Sequence, residues 1–259
     1  MRYSMKAASR WFLSLPLVLA LGGCGCGQLP DPNDPKDVGV LAPDVLRRQL
    51  KWASDNLNMR RAKGEITEDQ AKSLITSYAN DLLAQVDLRK IDPDRAWEYG
   101  EVCRTAQRWD MAREALEIAV ANPPNEDRRI NDTLRLAHVL AKMGQAPKAI
   151  ETAKKVMDAE PHESAPILPA VLLEIVPAAE KKGHDAPLAA LLEQAIKKHK
   201  ETIIDPRSAP GQDFLAAKHH HISNAWGKVV ELYRSAGQEA EADQARERMQ
   251  RMMLDLAVL

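Results

Sequence analysis

The chain has 259 residues, 45% hydrophobic and 28% charged, a balance that suits a folded core and excludes a disordered polymer. A formal net charge of −1 argues against a nucleic-acid binder, whose footprint is a basic face. Only 4% of residues are aromatic and alanine is plentiful, which favours packed helices over sheets. The three cysteines, Cys24, Cys26 and Cys103, assemble neither a disulfide framework nor a zinc spacing, so stability must come from packing.

The chain opens with a basic start (Arg2, Lys6, Arg10), an apolar stretch from Trp11 to Leu21, and Gly22-Gly23-Cys24. An apolar run of about a dozen residues is too short to span a bilayer and fits the middle of a secretory signal. The run Leu21-Gly22-Gly23-Cys24 resembles the lipobox of bacterial lipoproteins. That resemblance implies that residues 1–23 are removed, that the Cys24 thiol is acylated, and that the membrane is reached through the lipid. Loss of the three leader cations takes the net charge from −1 to −4. Cys26 lacks the preceding pair of small residues and reads as a bystander. Gly25, where an aspartate would signal inner-membrane retention, implies the outer membrane facing the periplasm. Residues 24–43 carry Pro30, Pro32, Pro35 and Pro43, which preclude a helix and describe an extended tether.

From Asp44 the apolar spacing is helical. Val45, Leu46, Leu50, Ala53 and Leu57 share one face, Gly64 breaks that helix, and Thr67 with Gln70 forms a capping box stapled by Ile66. Ala71, Leu74, Ile75, Tyr78, Leu82 and Val86 continue in a second helix, so residues 44–90 predict an N-terminal hairpin. Asp92-Pro93 opens the next helix as cap and first-turn proline.

Residues 91–259 then repeat a pattern. Small or apolar residues pair twelve positions apart: Gly100 with Ala112, Ala137 with Ala149, Val176 with Leu188, and Val230 with Ala242. A turn at Gln107, Gly144, Gly183 and Gly237 falls seven positions after each first member, and Pro124 and Pro161 close second helices. The pattern resembles the tetratricopeptide repeat, best at Thr133 to Pro161, nearly as well at Ala96 to Pro124, and at Trp226 to Met249 with Arg246 in an apolar place. The copy around Leu172 to Ala195 is degenerate, because Pro177 falls inside its first helix and should kink it or delay its start. The resemblance implies an all-α fold of stacked antiparallel hairpins, a right-handed α-solenoid. Unit offsets of 37, 39 and 54 residues exceed the family's repeat of about 34 and leave other right-handed hairpin stacks open. One long helix is expected from about Gln212 to Ser235, projecting past its neighbours.

The chemistry-bearing residues are sparse. His219-His220-His221 point about 100° apart on a helix, so the three cannot converge on one metal, and the run reads as a solvated face. His162-Glu163 fails the zinc-protease pattern because Pro166 stands where the second histidine is required. There is no phosphate loop and no Gly-x-Ser-x-Gly elbow, and Cys103 lies on a packed side, where a thiol behaves as a small hydrophobe. No cofactor and no enzymatic activity are expected. In proteins of the resembled family the first helices of successive hairpins line a binding groove; carried over, that geometry places Trp97, Glu101, Arg104, His138, Lys142, Lys181, Glu231 and Arg234 along it. Trp97 reads either as a hot spot or as packing under the preceding hairpin. The expected function is an envelope scaffold that binds another envelope protein or peptide. The alternatives are a self-assembling structural protein and a ligand-binding or enzymatic module in residues 161–221.

Overall fold

The structure, a computed structural model, describes residues 42–84, 86 and 91–257. The leader, Cys24, Cys26 and all of the tether up to residue 41 lie outside the described residues. The remainder is helical throughout: α1 (Pro43–Ala62), α2 (Glu68–Leu83), a 3₁₀ turn (Pro93–Arg95), α3 (Ala96–Thr105), α4 (Trp109–Ala121), α5 (Glu126–Lys142), α6 (Ala146–Lys154), α7 (Ile167–Ala170), a π-helical segment (Val171–Ile175), α8 (Val176–Ala179), α9 (Asp185–Glu201), α10 (Ala209–Ser235) and α11 (Glu239–Ala257). No strand forms among the described residues.

Local chemistry sets most of the boundaries. The Thr67 hydroxyl accepts from the Gln70 amide at 3.2 Å while Gln70 Oε1 accepts from the Thr67 amide at 2.8 Å, the reciprocal box that satisfies two orphan donors. Asn125, a cap the sequence reading passed over, accepts from the Arg128 amide at 2.8 Å and starts α5. Asp92-Pro93 initiates a 3₁₀ turn before α3 begins. The turns at Gln107, Gly144 and Gly237 all have positive φ. Each follows a helix end closed by a pair of amide bonds, such as Gly144 to the Ala141 carbonyl at 3.0 Å and Gln145 to the Leu140 carbonyl at 2.9 Å. These are Schellman closures, and they fold the following helix back on its predecessor. Helices α4 and α6 end at Ala121 and Lys154, before the prolines expected to close them.

The degenerate unit departs most from expectation. Its first helix starts at Ile167 rather than near Leu172, and Pro177 does not break it. A proline in a helix has no N–H to give and its ring crowds the carbonyl four residues back, here Leu173. The helix widens by one residue per turn over Val171–Ile175, with the Val176 amide reaching the Val171 carbonyl, and so absorbs the ring. The helix ends at Ala179, four residues before Gly183, and the reversal uses two positive-φ residues, Lys181 and Gly183.

Packing follows chain order. Helix α1 lies on α2 and α3, α3 on α4, α4 on α5, α5 on α6 and on the proline-widened helix, α6 on α9, α9 on α10, and α10 on α11. The paired small residues Ala112, Ala137, Ala149 and Ala242 are fully buried. Helix α10 does run from Ala209 to Ser235, but its first turns do not stand free. The Phe214 ring rests on His199 of α9 at 4.4 Å, and the Lys218 ammonium bonds the Lys200 carbonyl at 3.2 Å. Gly211 sits so close to the preceding loop that a Cβ there would fall 2.0 Å from the Asp205 carbonyl.

Candidate functional site

Four of the groove residues expected from the sequence, Trp97, Glu101, Arg104 and His138, come together on α3 and α5, in a wider setting that local sequence patterns do not reveal. Trp97, half-buried, is clamped between two guanidinium groups: Arg47 of α1 lies 4.3 Å from the ring centroid and Arg128 of α5 lies 3.6 Å from it. Such stacking is favourable because the indole face is electron-rich. Trp97 is thus engaged by side chains of α1 and α5.

The clamp joins two ion-pair clusters. On one side Arg95 reaches Asp44 at 3.0 Å and Glu98 at 2.8 Å, and Arg47 reaches Glu98 at 3.1 Å. On the other, Arg128 pairs with Asp132, Arg135 bonds Asp132 at 3.1 Å and Glu101 at 2.7 Å, and Arg104 bonds Glu101 at 3.1 Å and also Glu174. Three arginines meet two carboxylates in the first cluster, since Arg48 also bonds Asp44 at 3.0 Å, and three meet three in the second. The assembly is a ladder with one cation in excess that stitches α1, α3, α5 and the π segment together. Asp132 is fully buried; desolvation raises its carboxyl pKa, and the guanidinium groups of Arg128 and Arg135 oppose that rise.

His138 is neutral within this setting. Arg104 Nη2 lies 3.1 Å from His138 Nδ1, and a guanidinium can only donate, so Nδ1 carries the lone pair and Nε2 the proton. Burial first, then the positive charges of Arg104 and Lys142, hold its pKa down at about 3. The Glu174 oxygen 3.4 Å from Nδ1 is therefore a neighbour and not an ion-pair partner. The Trp109 ring meets the imidazole edge-on at 5.9 Å and fixes its orientation.

Two clefts flank the ladder. The first, about 460 Å³, lies between α1 and α3 and is lined by Asp44, Arg47, Leu50, Lys51 and Glu101 among others. The second, about 240 Å³, lies between α5 and the widened helix, with Leu134, Pro166, Pro169 and Leu173 as its apolar wall and Arg135 and Glu174 as its polar edge. Leu173 is 63% exposed. Glu101 lines the first cleft, Arg135 lines the second, and the two residues bond each other directly at 2.7 Å. The Glu101–Arg135 pair is therefore a border common to the two clefts.

The other expected groove residues fall outside this cluster. Lys142 is exposed at the last turn of α5. Lys181 sits in the reversal after α8, its amide donating to Asp185 Oδ1 at 2.7 Å. Glu231 pairs with Lys228 at 3.1 Å and Arg234 faces Glu239 at 3.6 Å. These are local contacts of α10 and its turn, separate from the ladder. Cys103 is fully buried, and desolvation pushes its pKa up to about 12. Among the described residues no group of three or more His, Cys, Asp or Glu is placed to hold a metal, and no helix is long and apolar enough to cross a membrane.

Sequence reasoning missed Arg47, Arg95, Arg128, Arg135, Asp132 and Glu174. Arg95, Arg128 and Arg135 carried a local signal, since Arg95 stands three residues before Glu98 and the other two lie within one helical turn of Asp132. No protein-family model matches the sequence, and no curated protein is detectably similar to it.

Proposed function

We propose that this protein is a lipid-anchored scaffold of the bacterial envelope, in which a tetratricopeptide-like right-handed stack of helical hairpins offers a groove to another envelope protein or peptide. The Leu21-Gly22-Gly23-Cys24 run supports the anchor at Cys24, and the proline-rich stretch after it supports a tether that holds the helices off the lipid. The recurring positive-φ turns and buried small residues support the repeat reading. One observation carries the groove: a charged cleft and a cleft with an apolar wall share the Glu101–Arg135 bond as their border, on a surface built from α1, α3, α5 and the widened helix. Contact with a partner is made by the clefts, because the Trp97 ring is already stacked with Arg47 and Arg128.

The test is photo-crosslinking in intact cells from probes at Lys51 and Leu173, one in each cleft, with Gln244 on α11 as the exposed control. The expected result is one protein captured from both cleft positions, absent from Gln244, and lost when Leu173→Glu is combined with the Lys51 probe. Equal capture from all three positions, or none from either cleft, refutes the groove. The anchor is checked separately by fatty-acid labelling, which is expected to disappear in Cys24→Ala.

A further inference from the structure

The last three helices carry a cleft of their own. Helices α9 and α11 each pack on α10, and between them lies an open cleft of about 540 Å³. Its lining comes from all three: Glu193 and Lys197 of α9, Trp226 of α10, and Arg248, Arg251 and Met252 of α11. That volume falls within the range of about 300–1,000 Å³ usual for small organic ligands.

Two features of the lining call for a ligand. The first is charge. Glu193 is the one carboxylate of the set, and Arg248 already holds both of its oxygens, at 3.0 and 2.8 Å. Lys197 and Arg251 are exposed, and neither has a hydrogen bond or ion pair among the described residues. The cleft thus presents two uncompensated cations beside an apolar floor. The second is a polar group that the fold serves poorly. Trp226 is 3% exposed, and its indole N–H donates to the Met252 sulfur at 3.4 Å. A thioether is a weak acceptor and a methionine side chain is adaptable, so the N–H remains open to a better partner. An anionic oxygen in that place makes a charge-assisted bond, roughly twice as strong as a neutral one.

These features together select the occupant. An inorganic anion leaves the indole and thioether walls uncovered, and a neutral hydrocarbon leaves both cations and the N–H unanswered. A carboxylate on an aliphatic chain satisfies all of them. We propose that the cleft between α9 and α11 binds a free aliphatic carboxylate of the fatty-acid class, its head held by Lys197, Arg251 and the Trp226 N–H and its chain laid on Trp226 and Met252. The site lies on other helices than the clefts beside the ladder, and it stands whether or not those bind a protein.

Dodecanoate, below its micelle-forming concentration, is titrated into the purified full-length chain by calorimetry while the tryptophan indole N–H signals are followed by NMR. One equivalent is expected to bind, with the Trp226 signal moving downfield as its acceptor changes from sulfur to oxygen. Dodecanol, the chain without the charge, and acetate, the charge without the chain, should each bind at least about ten-fold more weakly. Trp226→Phe keeps a ring on the floor but removes the donor; it and the double variant Lys197→Gln with Arg251→Gln should each weaken dodecanoate about ten-fold. Circular dichroism reports the fold of each variant, and if Trp226→Phe loses helicity, the double variant, altered only at exposed positions, decides. Dodecanol binding as tightly as dodecanoate, or full affinity in the natively helical double variant, overturns the site. So does a Trp226 signal that stays unmoved at saturation. Binding of phosphatidylglycerol vesicles without binding of free dodecanoate assigns the two cations to a membrane surface and overturns it as well.

Discussion

Replacing Gly100 by alanine tests a close approach of α3 to α4. An ideal Cβ at position 100 would lie 2.8 Å from both Cγ and Cδ2 of Leu116, against ordinary carbon contacts of about 3.5–4.0 Å. Leu116 is fully buried and Cγ is anchored near its backbone, so the side chain cannot swing away; either it leaves its rotamer or α3 and α4 separate. Overpacking of this kind costs about 1–3 kcal/mol, offset by about 0.5–1 kcal/mol from removing a glycine inside a helix. The net expectation is a loss of up to about 2.5 kcal/mol in urea unfolding with an unchanged m-value. A double-mutant cycle sharpens the test. Leu116→Ala alone should cost about 2–5 kcal/mol, but in its background Gly100→Ala should become neutral or stabilising, because the clashing atoms are gone. The expected coupling is about 1–3 kcal/mol. If Gly100→Ala stabilises the parent chain, or the cycle is additive within about 0.3 kcal/mol, the close-packing argument is wrong.

Stability should fall as pH drops from 6.5 towards 4. There an unfolded His199 takes up a proton, whereas the buried native one, with its pKa near 4, does not, which removes about 1.4 kcal/mol per pH unit; His199→Phe should flatten the urea-unfolding profile by that slope, and an identical profile would contradict the burial argument. Pro177→Ala restores a missing N–H and should let Val171–Ile175 return to α-helical winding, turning Glu174 away from Arg104. The stability gain should then fall short of the roughly 3 kcal/mol that removal of an interior helical proline otherwise brings; a full gain with the Arg104–Glu174 pair intact would show that Pro177 is not the cause of the widening. Cys103, buried and with its pKa pushed up to about 12, should react with iodoacetamide at pH 8 only as fast as the chain opens. Complete labelling within minutes of a natively helical sample would refute its placement.

The elements legible in the sequence were those fixed by neighbours along the chain. Gln107, Gly144 and Gly237 are legible because a turn falls seven positions after each small or apolar member of a pair, and the Thr67–Gln70 box because both partners sit within one turn. Pro177 was recognised as a disturbance, but its outcome was not. Whether a helix breaks or widens depends on the packing available on both sides, and here α5 and α9 hold the segment in place. The ladder was hidden for a related reason. The bonds that tie its helices together join residues 51 and 70 positions apart, as in Arg47–Glu98 and Arg104–Glu174, and the local pairs within a helix look the same as solvated ones. Trp97 was singled out by residue type alone, and the two cations that occupy its faces come from elements on either side of it in sequence.

The nearly matched charges of the ladder have a bearing on how anything could be chosen at this surface. A visitor meets little long-range pull, since each arginine already holds a carboxylate and only one cation is in excess, so encounter rates should vary little with ionic strength. An acidic group can enter only by displacing a resident one, and the displaced Glu or Asp must then find water or another arginine. Selection at such a place works by exchange: it rewards a ligand whose acids sit at the spacing of those it replaces, and it turns away one that is merely charged.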